Sequence, residues 1–400
     1  MADHLPTVGV EEEYFLVDAS HRAVVAAASR VLPRLKPVVG DLVTGEASQY
    51  QVEGKTPPCK TLGELLRHLR RVRRAVAGAA ADEGLRLVAS ATPLLGMRAP
   101  IPLNTDPRYL AQVETFRSLY DTFAFSGLHV HVEVPDRDHA VLVSNHLRPW
   151  LPTLVALAAN SPFWEERDSG YCSWRTLGGT RWPVAGPPPY FPSAAHYDAL
   201  AASLQVAGAT LGERSLYWDV RPCAHLPTVE IRAMDVTTSV EEAAVFAVLV
   251  RALVVEALER VRRGDPGPAV DDALLRAAYW RCARDGLTGH SLDPRTSRLV
   301  PTAHQVRRLL EYARPALAEH GELRQVTAVL RQLVAYGGGA ERQRAAHAYA
   351  GSLRDVVDDV ADRTAVSPSP DVRPRVPGAR HRTPPTHTEQ QPGPELGVLE

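Results

Sequence analysis

Three consecutive glutamates lie inside an apolar, β-branched stretch near the start of the chain, "VGVEEEYFLVD", residues 8–18. A stretch of this composition predicts a β-strand. Because side chains alternate along a strand, Glu11 and Glu13 share one face and Glu12 points to the other. Two neighbouring carboxylates repel each other by about 4 kcal/mol at ~4 Å and an effective dielectric constant of about 20. A bound divalent cation would replace that repulsion with attraction.

Three further predicted strands have one apolar face and one polar face. The polar faces carry His129, His131 and Glu133 in "GLHVHVEV", Glu230, Arg232 and Met234 in "TVEIRAMD", and Asp219 and Arg221 in "SLYWDVRP". The last two strands are separated by a short segment that contains "CAHL", which predicts an antiparallel hairpin. The solvent face of one strand is often polar, so each strand alone indicates little. Four strands that combine acidic residues, histidine and arginine indicate a shared site.

The predicted cation site is rich in oxygen ligands. Carboxylates together with an imidazole suit Mg²⁺ or Mn²⁺. The segment "GEASQYQVEGKTPP", residues 45–58, adds Glu46 and Glu53. So many glutamates exceed what one ion needs, and they suit several Mg²⁺ ions that bridge the phosphates of a nucleotide. Zinc on His129 and His131 fits less well, because carboxylates outnumber nitrogen ligands and no cysteine is close in the sequence.

Composition and charge exclude several classes of protein. The chain has 400 residues, 45% of them hydrophobic, which is enough for one large domain or two. A net charge of -1 provides no basic surface for nucleic acid or an anionic membrane. Four scattered cysteines without a Cys-x-x-Cys pair favour a reducing cytoplasm. With no signal-peptide pattern and no segment long enough to span a bilayer, we expect a cytoplasmic protein without nucleic-acid or membrane partners.

Helical and strand patterns are mixed along the chain, with the strands concentrated before residue 235. Predicted helices cover 62–83, 107–124, 138–160 and 239–263, the pattern from 271 to 363 is helical, and predicted strands include 85–92 and 127–135. This order of elements predicts an α+β fold. Residues 366–400 are rich in proline and polar residues and predict a disordered tail, which leaves residues 1–365 as a single domain.

Several motifs occur in the order known from one enzyme family. They are "GVEEEYFLVD", "VEGKTPPC", "FSGLHVHVEV", "NSPFWEERDSGYCSWR", "WDVRP", "PTVEIRAMD", "YWRCARDGL" and "GGGAERQR". From about residue 8 to about residue 345, the chain resembles the type 2 glutamate–cysteine ligase family of carboxylate–amine ligases. The resemblance implies a glutamine-synthetase-like fold, a curved antiparallel sheet with helices on its convex face and a helical C-terminal third. The concave face of such a sheet holds Mg²⁺ and ATP.

The resemblance also implies an activity. Residues 1–365 would form a catalytic domain that activates a carboxylate by phosphoryl transfer from ATP, after which an amine displaces phosphate from the acyl phosphate and an amide forms. The implied cofactor is Mg²⁺ or Mn²⁺, ATP is the co-substrate, and the other partners are a small carboxylate and a small amine. The identities of acid and amine, the general base and the oligomeric state, a homo-oligomer included, stay open.

Individual residues take roles from the same resemblance. The implied metal ligands are Glu11, Glu13, Glu46, Glu53, His129 and Glu230. Arg232 is the implied catalytic phosphate clamp, and Arg175 and Arg221 are implied to bind substrate or ATP. For Arg175, a structural ion pair with Asp168 or Glu166 is an equally good interpretation.

Two residues depart from the family pattern. Glu133 follows "HVHV", where the family usually has glycine, and Glu166 replaces a glycine in "SPFWEERD". Both are expected to add negative charge near the site, which affects the choice of substrate more than the metal site.

Three alternatives to the ligase remain at this stage. A metal-dependent hydrolase would use His129 and His131 without a nucleotide, and would need further metal-binding histidine or lysine on later strands. A guanidino-type kinase on the same fold would release a phosphorylated product and form no amide. A non-catalytic descendant would bind a nucleotide or metabolite only, and the intact glutamate and arginine positions argue against it.

Overall fold

The strands and helices position a polar sheet face, and their bounds are as follows. The structure is a computed structural model that describes residues 5–365. The strands are β1 (Val8–Asp18), β2 (Val43–Gly45), β3 (Gln51–Lys55), β4 (Leu85–Val88), β5 (Gly127–Glu133), β6 (Phe163–Trp164), β7 (Arg167–Asp168), β8 (Ala185–Gly186), β9 (Tyr217–Trp218), β10 (Val220–Pro222), β11 (Thr228–Asp235), β12 (His290–Asp293) and β13 (Arg298–Pro301). The helices are α1 (Ala28–Val39), α2 (Leu62–Ala81), α3 (Pro107–Phe116), α4 (Arg137–Leu147), α5 (Leu151–Ala158), α6 (Trp174–Gly179), α7 (Ala194–Val206), α8 (Val240–Arg262), α9 (Asp272–Asp285), α10 (Thr302–Glu319), α11 (Leu323–Tyr336), α12 (Gly339–Ala350) and α13 (Leu353–Ala365).

A seven-stranded sheet lies at the centre of the described residues, with the order β10-β11-β5-β1-β3-β2 and β4 paired with the end of β1. All pairings in this sheet are antiparallel. The predicted hairpin of the last two polar strands is present as β10 and β11. Strands from distant parts of the sequence therefore lie side by side, with β1 between β5 and β3.

One face of this sheet is apolar and buried. Val10, Val130 and Ile231 are at most 1% exposed and belong to one core cluster with residues of α8. Helix α8 begins after Ser239, whose hydroxyl accepts a hydrogen bond from the N–H of Glu242. It packs against β5, α2, α4 and α10. This helical layer covers the apolar face, and the polar residues of the strands point to the opposite face.

Glu12 is the exception on the apolar face, where it is fully buried. It forms an ion pair with Arg73 of α2 and accepts a hydrogen bond from the Tyr14 hydroxyl. Arg73 also donates to the carbonyls of Thr237, at 2.8 Å, and Thr238, at 2.7 Å. Because the charges and the donors all find partners, the group can stay buried. It ties β1 to α2 and to the segment before α8.

Two predicted elements end earlier than expected. The predicted helix 107–124 ends at Phe116 as α3, because Arg117 has a positive φ of 52° that stops helical geometry. The predicted strand 85–92 pairs only over β4. Beyond that strand, the backbone runs past Asn160, whose carbonyl accepts from the N–H of Ala91.

Two predicted helical regions are interrupted. The helix expected over 138–160 is split into α4 and α5 by a 3₁₀ turn at Arg148–Trp150. Pro149 and Pro152 lie at this break, where each lacks the N–H donor that a continuous helix needs. The region 271–363 is not wholly helical either, because β12 and β13 form an antiparallel hairpin within it.

The described helices have no span long and apolar enough to cross a membrane. Residues 366–400, for which a disordered tail is predicted, lie outside the described residues.

Candidate functional site

Two groups of potential metal ligands lie on the polar face of the sheet. Glu11, Glu53 and His129 form one group, and Glu13, Glu46 and Glu53 form the other; within each group the ligand atoms lie within 4.8 Å of one another. The strand register explains the convergence, because Glu11 is opposite His129 across β1 and β5, and Glu13 is opposite Glu53 across β1 and β3. Glu53 belongs to both groups and joins them.

The side chains of the first group are in close contact with the histidines of β5. His129 Nδ1 lies 3.4 Å from Glu11 Oε2, and His131 Nε2 lies 3.7 Å from the same oxygen. Glu13 accepts a hydrogen bond of 2.6 Å from the N–H of Gly127. Glu46 follows β2, which pairs with β3, and the Thr44 hydroxyl donates to Glu53 at 3.0 Å.

Protonation states at these groups reflect burial and crowded charge. Burial, and then the Glu53 charge, raise the pKa of Glu13 to about 7. Burial and neighbouring carboxylates also raise the pKa values of Glu46 and Glu53. Burial and the Arg232 charge lower the pKa of His129 to about 3, so its imidazole is neutral at pH 7. Burial alone would raise the pKa of Glu11, but the nearby imidazoles of His129 and His131 outweigh burial and lower it.

The chemistry of these donors fits hard divalent cations. Oxygen ligands with one neutral imidazole are the set that Mg²⁺ and Mn²⁺ accept. The carboxylates are buried and close together, which is costly without positive charge. Lys55 supplies part of that charge, with Nζ 2.6 Å from Glu53 and 3.9 Å from Glu11. In the three-carboxylate group, burial and neighbouring carboxylates raise the pKa values of Glu13 and Glu46, and a bound cation would relieve that crowding.

Glu230 is placed differently from the other predicted metal ligands. It lies outside both groups and forms ion pairs with Arg232 and with Arg221, whose Nε donates to Glu230 at 2.9 Å. These two arginines outweigh the effect of burial and hold the pKa of Glu230 well below its usual range. Arg221 also donates to the carbonyl of Leu216. The structure therefore places Arg221 as the residue that holds Glu230, and Glu230 as the residue that holds Arg232.

Arg232 and Arg175 line the same cavity, which is open to solvent and is also lined by Glu13, Glu46 and His129. Arg232 Nη1 lies 3.3 Å from His129 Nδ1. Arg175 Nη2 donates to the carbonyl of Arg232 at 3.0 Å. The two guanidinium groups therefore lie beside the carboxylate groups, on the same cavity.

The prediction that Arg175 forms an ion pair with Asp168 or Glu166 is wrong. Its closest carboxylate is Asp235, at 3.7 Å, whereas Asp168 pairs with Arg344 at 2.8 Å. Gly127 leaves room for this arrangement, because a Cβ there would lie 2.5 Å from Arg175 Nη2. Arg175 thus has both a structural partner and a surface on the cavity.

The prediction that Met234 shares the polar face is also wrong. The register of β11 against β5 shifts between Ile231 and Met234, which indicates a β-bulge. The bulge turns Met234 into the core, where it is fully buried, and Ala233 lines the cavity instead.

The two departures from the family pattern do not line the cavity. Glu133 accepts hydrogen bonds of 3.0 Å from the N–H and the hydroxyl of Thr7. Glu166 lies in the exposed turn between β6 and β7 and accepts a hydrogen bond of 3.0 Å from the N–H of Gly96. Contrary to the expectation, neither glutamate therefore adds negative charge to the cavity wall.

Sequence reasoning missed an aromatic wall that also lines the cavity. It consists of Tyr109, Tyr120, Phe123, Trp182 and Tyr217. Phe123 and Trp182 pack edge to face with ring centroids 4.7 Å apart. In the sequence, the high density of aromatic residues between positions 109 and 125 could have indicated this wall. The cavity therefore combines a charged wall with a wall suited to a flat or apolar group.

Solved structures of two ligases share this fold. A bifunctional glutathione synthetase from Pasteurella multocida has a TM-score of 0.68 and 17% sequence identity, with 90% of this chain and 52% of that longer chain covered. A glutamate–cysteine ligase from Francisella tularensis, in complex with AMP, has a TM-score of 0.64 and 12% identity, with 91% of this chain and 89% of that chain covered. The predicted α+β, glutamine-synthetase-like fold is confirmed. The likeness to these two structures defines the class of fold, that of the glutamine-synthetase-like ligases.

Residues 7–359 match the family described as glutamate-cysteine ligase family 2. A protein of Saccharopolyspora erythraea, named "Putative glutamate--cysteine ligase 2-1", is 42% identical over 374 residues, which cover 93% of this chain and 97% of the relative. A protein of Salinispora arenicola, named "Putative glutamate--cysteine ligase 2", is 43% identical over 364 residues, which cover 90% and 96%. The chain belongs to glutamate-cysteine ligase family 2, and the resemblance seen in its motifs is confirmed.

Proposed function

We propose that the cavity binds ATP with divalent cations on the two glutamate groups, and that the enzyme joins glutamate to an amine by way of an acyl phosphate. The observation that carries the proposal is the joining of the two ligand groups by Glu53, with Arg232 on the same cavity. A site for several cations beside a guanidinium group is typical of phosphoryl transfer.

The proposed cation ligands are Glu11, Glu13, Glu46, Glu53 and His129, and the proposed ions are Mg²⁺ or Mn²⁺. When bound, such ions bridge phosphate oxygens and neutralise the charge that develops on the transferred group. Glu230, an expected sixth ligand, has a different role in this proposal, because its two oxygens are engaged by Arg221 and Arg232.

Arg232 is the proposed catalytic residue. Glu230 orients it, and Arg221 holds Glu230 in turn, so the guanidinium group is fixed before substrate arrives. A preorganised cationic donor of this kind stabilises charge on a transferring phosphoryl group without having to rearrange. Arg221 is therefore proposed to position Arg232 rather than to bind ATP itself.

Arg175 is proposed to bind a carboxylate of the acid substrate. Its Nη1 lies 3.7 Å from Asp235, which is a loose ion pair, and its side chain lines the cavity beside Arg232. A planar guanidinium group suits a carboxylate because it offers two parallel donors. The names of the relatives suggest glutamate as the acid and cysteine as the amine, and both assignments are part of the proposal.

The experiment is an amide-formation assay with ATP, Mg²⁺, glutamate and a panel of amino acids and amines. Phosphate release and the mass of the product are measured together, and Glu53→Gln serves as the inactive control. We expect one phosphate for each amide formed, with neither product in the absence of ATP. A stable phosphorylated product without amide would instead indicate a kinase, and product formation without ATP would indicate a hydrolase. Either result would overturn the proposal.

A further inference from the structure

A third group of potential metal ligands lies beside the proposed nucleotide site. It consists of His131, Cys223 and Glu230, with ligand atoms within 4.8 Å of one another. All three residues are buried, with exposures of 7%, 8% and 3% respectively. No cysteine lies close to these histidines in the sequence, but the fold brings Cys223 close to His131. The N–H of Cys223 bonds to the carbonyl of Thr228 at 2.9 Å, so the β10–β11 hairpin brings the thiol next to β5.

The imidazole of His131 is the second observation that points to a ligand. Its Nε2 is buried and has no hydrogen-bond partner among residues 5–365. Its Nδ1 lies 3.1 Å from the Thr228 hydroxyl, which orients the ring. A buried ring nitrogen without a partner costs free energy. A ring held through one nitrogen with the other left available is the usual arrangement of a metal-binding histidine.

A fourth donor, His225, lies beside Cys223. His225 Nδ1 is 3.6 Å from Cys223 Sγ, and residues 224–227 of the hairpin are exposed. One thiolate, two imidazoles and one carboxylate are ligands that zinc accepts in tetrahedral sites, whereas Mg²⁺ avoids sulfur. The donors therefore differ in kind from the two glutamate groups.

We propose that His131, Cys223 and Glu230, together with His225, form a binding site for a thiophilic divalent cation such as Zn²⁺. Bonds of about 2.0–2.3 Å at tetrahedral angles place zinc ligands about 3.3–3.8 Å apart. The donor atoms of His131, Cys223 and Glu230 lie within 4.8 Å of one another and need to close by at most about 1–1.5 Å to reach that geometry. The exposed hairpin turn that carries His225 is the part able to move.

This site shares Glu230 with the residues that hold Arg232. A cation on Glu230 must compete with both Arg221 and Arg232 for the same carboxylate. His131 Nε2 also lies 3.7 Å from Glu11. Occupation of the site should therefore disturb Arg232 and reduce ligase turnover. This consequence rests on the proposed function, whereas cation binding itself does not.

The test is a titration of the full-length protein with Co²⁺ in excess Mg²⁺, followed by absorption. A bound Co²⁺–thiolate pair gives a charge-transfer band, and Zn²⁺ should displace the cobalt because it binds such sites more tightly. We expect the band in the wild type and in Cys172→Ser, which alters another buried cysteine outside the group. In Cys223→Ser we expect loss of the band and weaker Co²⁺ binding, by at least the about 10–100-fold that loss of an outer partner costs. A wild type without the band, or a band that persists in Cys223→Ser, would overturn the proposal.

A second measurement needs no variant, which matters if Cys223→Ser folds poorly. Zn²⁺ should slow alkylation of Cys223 by a maleimide, and peptide mass spectrometry reports each cysteine separately. We expect protection of Cys223 but not of Cys59, Cys172 or Cys282. Equal alkylation with and without Zn²⁺ would refute the site. If the protein showed no ligase activity, the proposed function would fail, while the cobalt band and the alkylation pattern would still decide this inference.

Discussion

Replacement of Arg232 by lysine tests whether the proposed phosphoryl-transfer step needs only a positive charge or also the planar geometry of the guanidinium group. In the structure, Arg232 forms an ion pair with Glu230, and its Nη1 lies 3.3 Å from His129 Nδ1. Its side chain is 18% exposed and faces the cavity. A lysine ammonium keeps the positive charge but loses the planar fork. It can bond to Glu230 or reach a phosphoryl oxygen, but it cannot hold both in the arginine geometry.

The magnitude follows from the number of donors lost. Arg232→Lys removes one preorganised donor aimed at developing charge, which typically lowers turnover by about 10²–10³. That loss corresponds to about 2.7–4 kcal/mol of transition-state stabilisation. Nucleotide affinity should fall much less, because the glutamate groups and their cations still hold the phosphates in the ground state. The melting temperature should stay close to that of the wild type, since the ammonium can retain the pair with Glu230.

The assay measures amide formation, nucleotide affinity and melting temperature for the wild type, Arg232→Lys and a control, Arg137→Lys. The control alters an arginine that pairs with Asp198 and Glu213 on the surface, so its turnover should not change. Unchanged turnover in Arg232→Lys would remove Arg232 from the mechanism. A large fall in melting temperature with proportional loss of nucleotide binding would assign Arg232 a structural role instead.

Four further outcomes are expected. Glu12→Gln leaves the Arg73 charge buried without a partner and should lower the free energy of unfolding by about 3–5 kcal/mol in a urea titration; a loss below about 1 kcal/mol would contradict the role given to this pair. Mg²⁺ with a nucleotide should raise the melting temperature more than the nucleotide alone, and Glu53→Gln should abolish the difference; a Mg²⁺ effect that survives in the variant would argue against a shared ligand. Burial alone would raise the pKa of Asp293, but hydrogen bonds from its own turn and from a nearby arginine hold this pKa below its usual value. The Asp293 carboxylate therefore stabilises the fold above about pH 4, and that stabilisation is lost as the pH falls. Asp293→Asn should therefore unfold more easily than the wild type at about pH 7, by a difference that shrinks as the pH falls below about 4. A constant difference in urea midpoints would disprove the linkage. Removal of residues 366–400 should leave melting temperature and activity unchanged, and precipitation or loss of activity would show that this segment docks.

The direction of most side chains on the central strands follows from the sequence alone. Alternation along β1 and β5 assigns Glu11, Glu13 and His129 to one face, because the period of two is a property of the extended backbone itself. The start of α8 after Ser239 is equally local, since the Ser239 hydroxyl accepts a hydrogen bond from the otherwise free N–H of Glu242. Local geometry needs no knowledge of distant segments.

Two local features of the backbone could not be predicted from the sequence. The bulge in β11 turns Met234 from the polar face into the core, and no residue type in "TVEIRAMD" announces it. The hairpin of β12 and β13 lies in a region whose composition favours helix. In both cases, packing against other elements outweighs the local preference.

Only the tertiary structure decided which polar residues meet. The strand order brings β5 and β3 to the two sides of β1, so that Glu53 joins two ligand groups. It also places Cys223 beside His131, and Asp235 beside Arg175. Outside the bulge in β11, the sequence by itself determined which strand residues face the site, because side-chain direction is set by the nearest peptide units. The partners come from chain segments that lie far apart in sequence, and their pairing is set by loop closure and core packing over the whole domain.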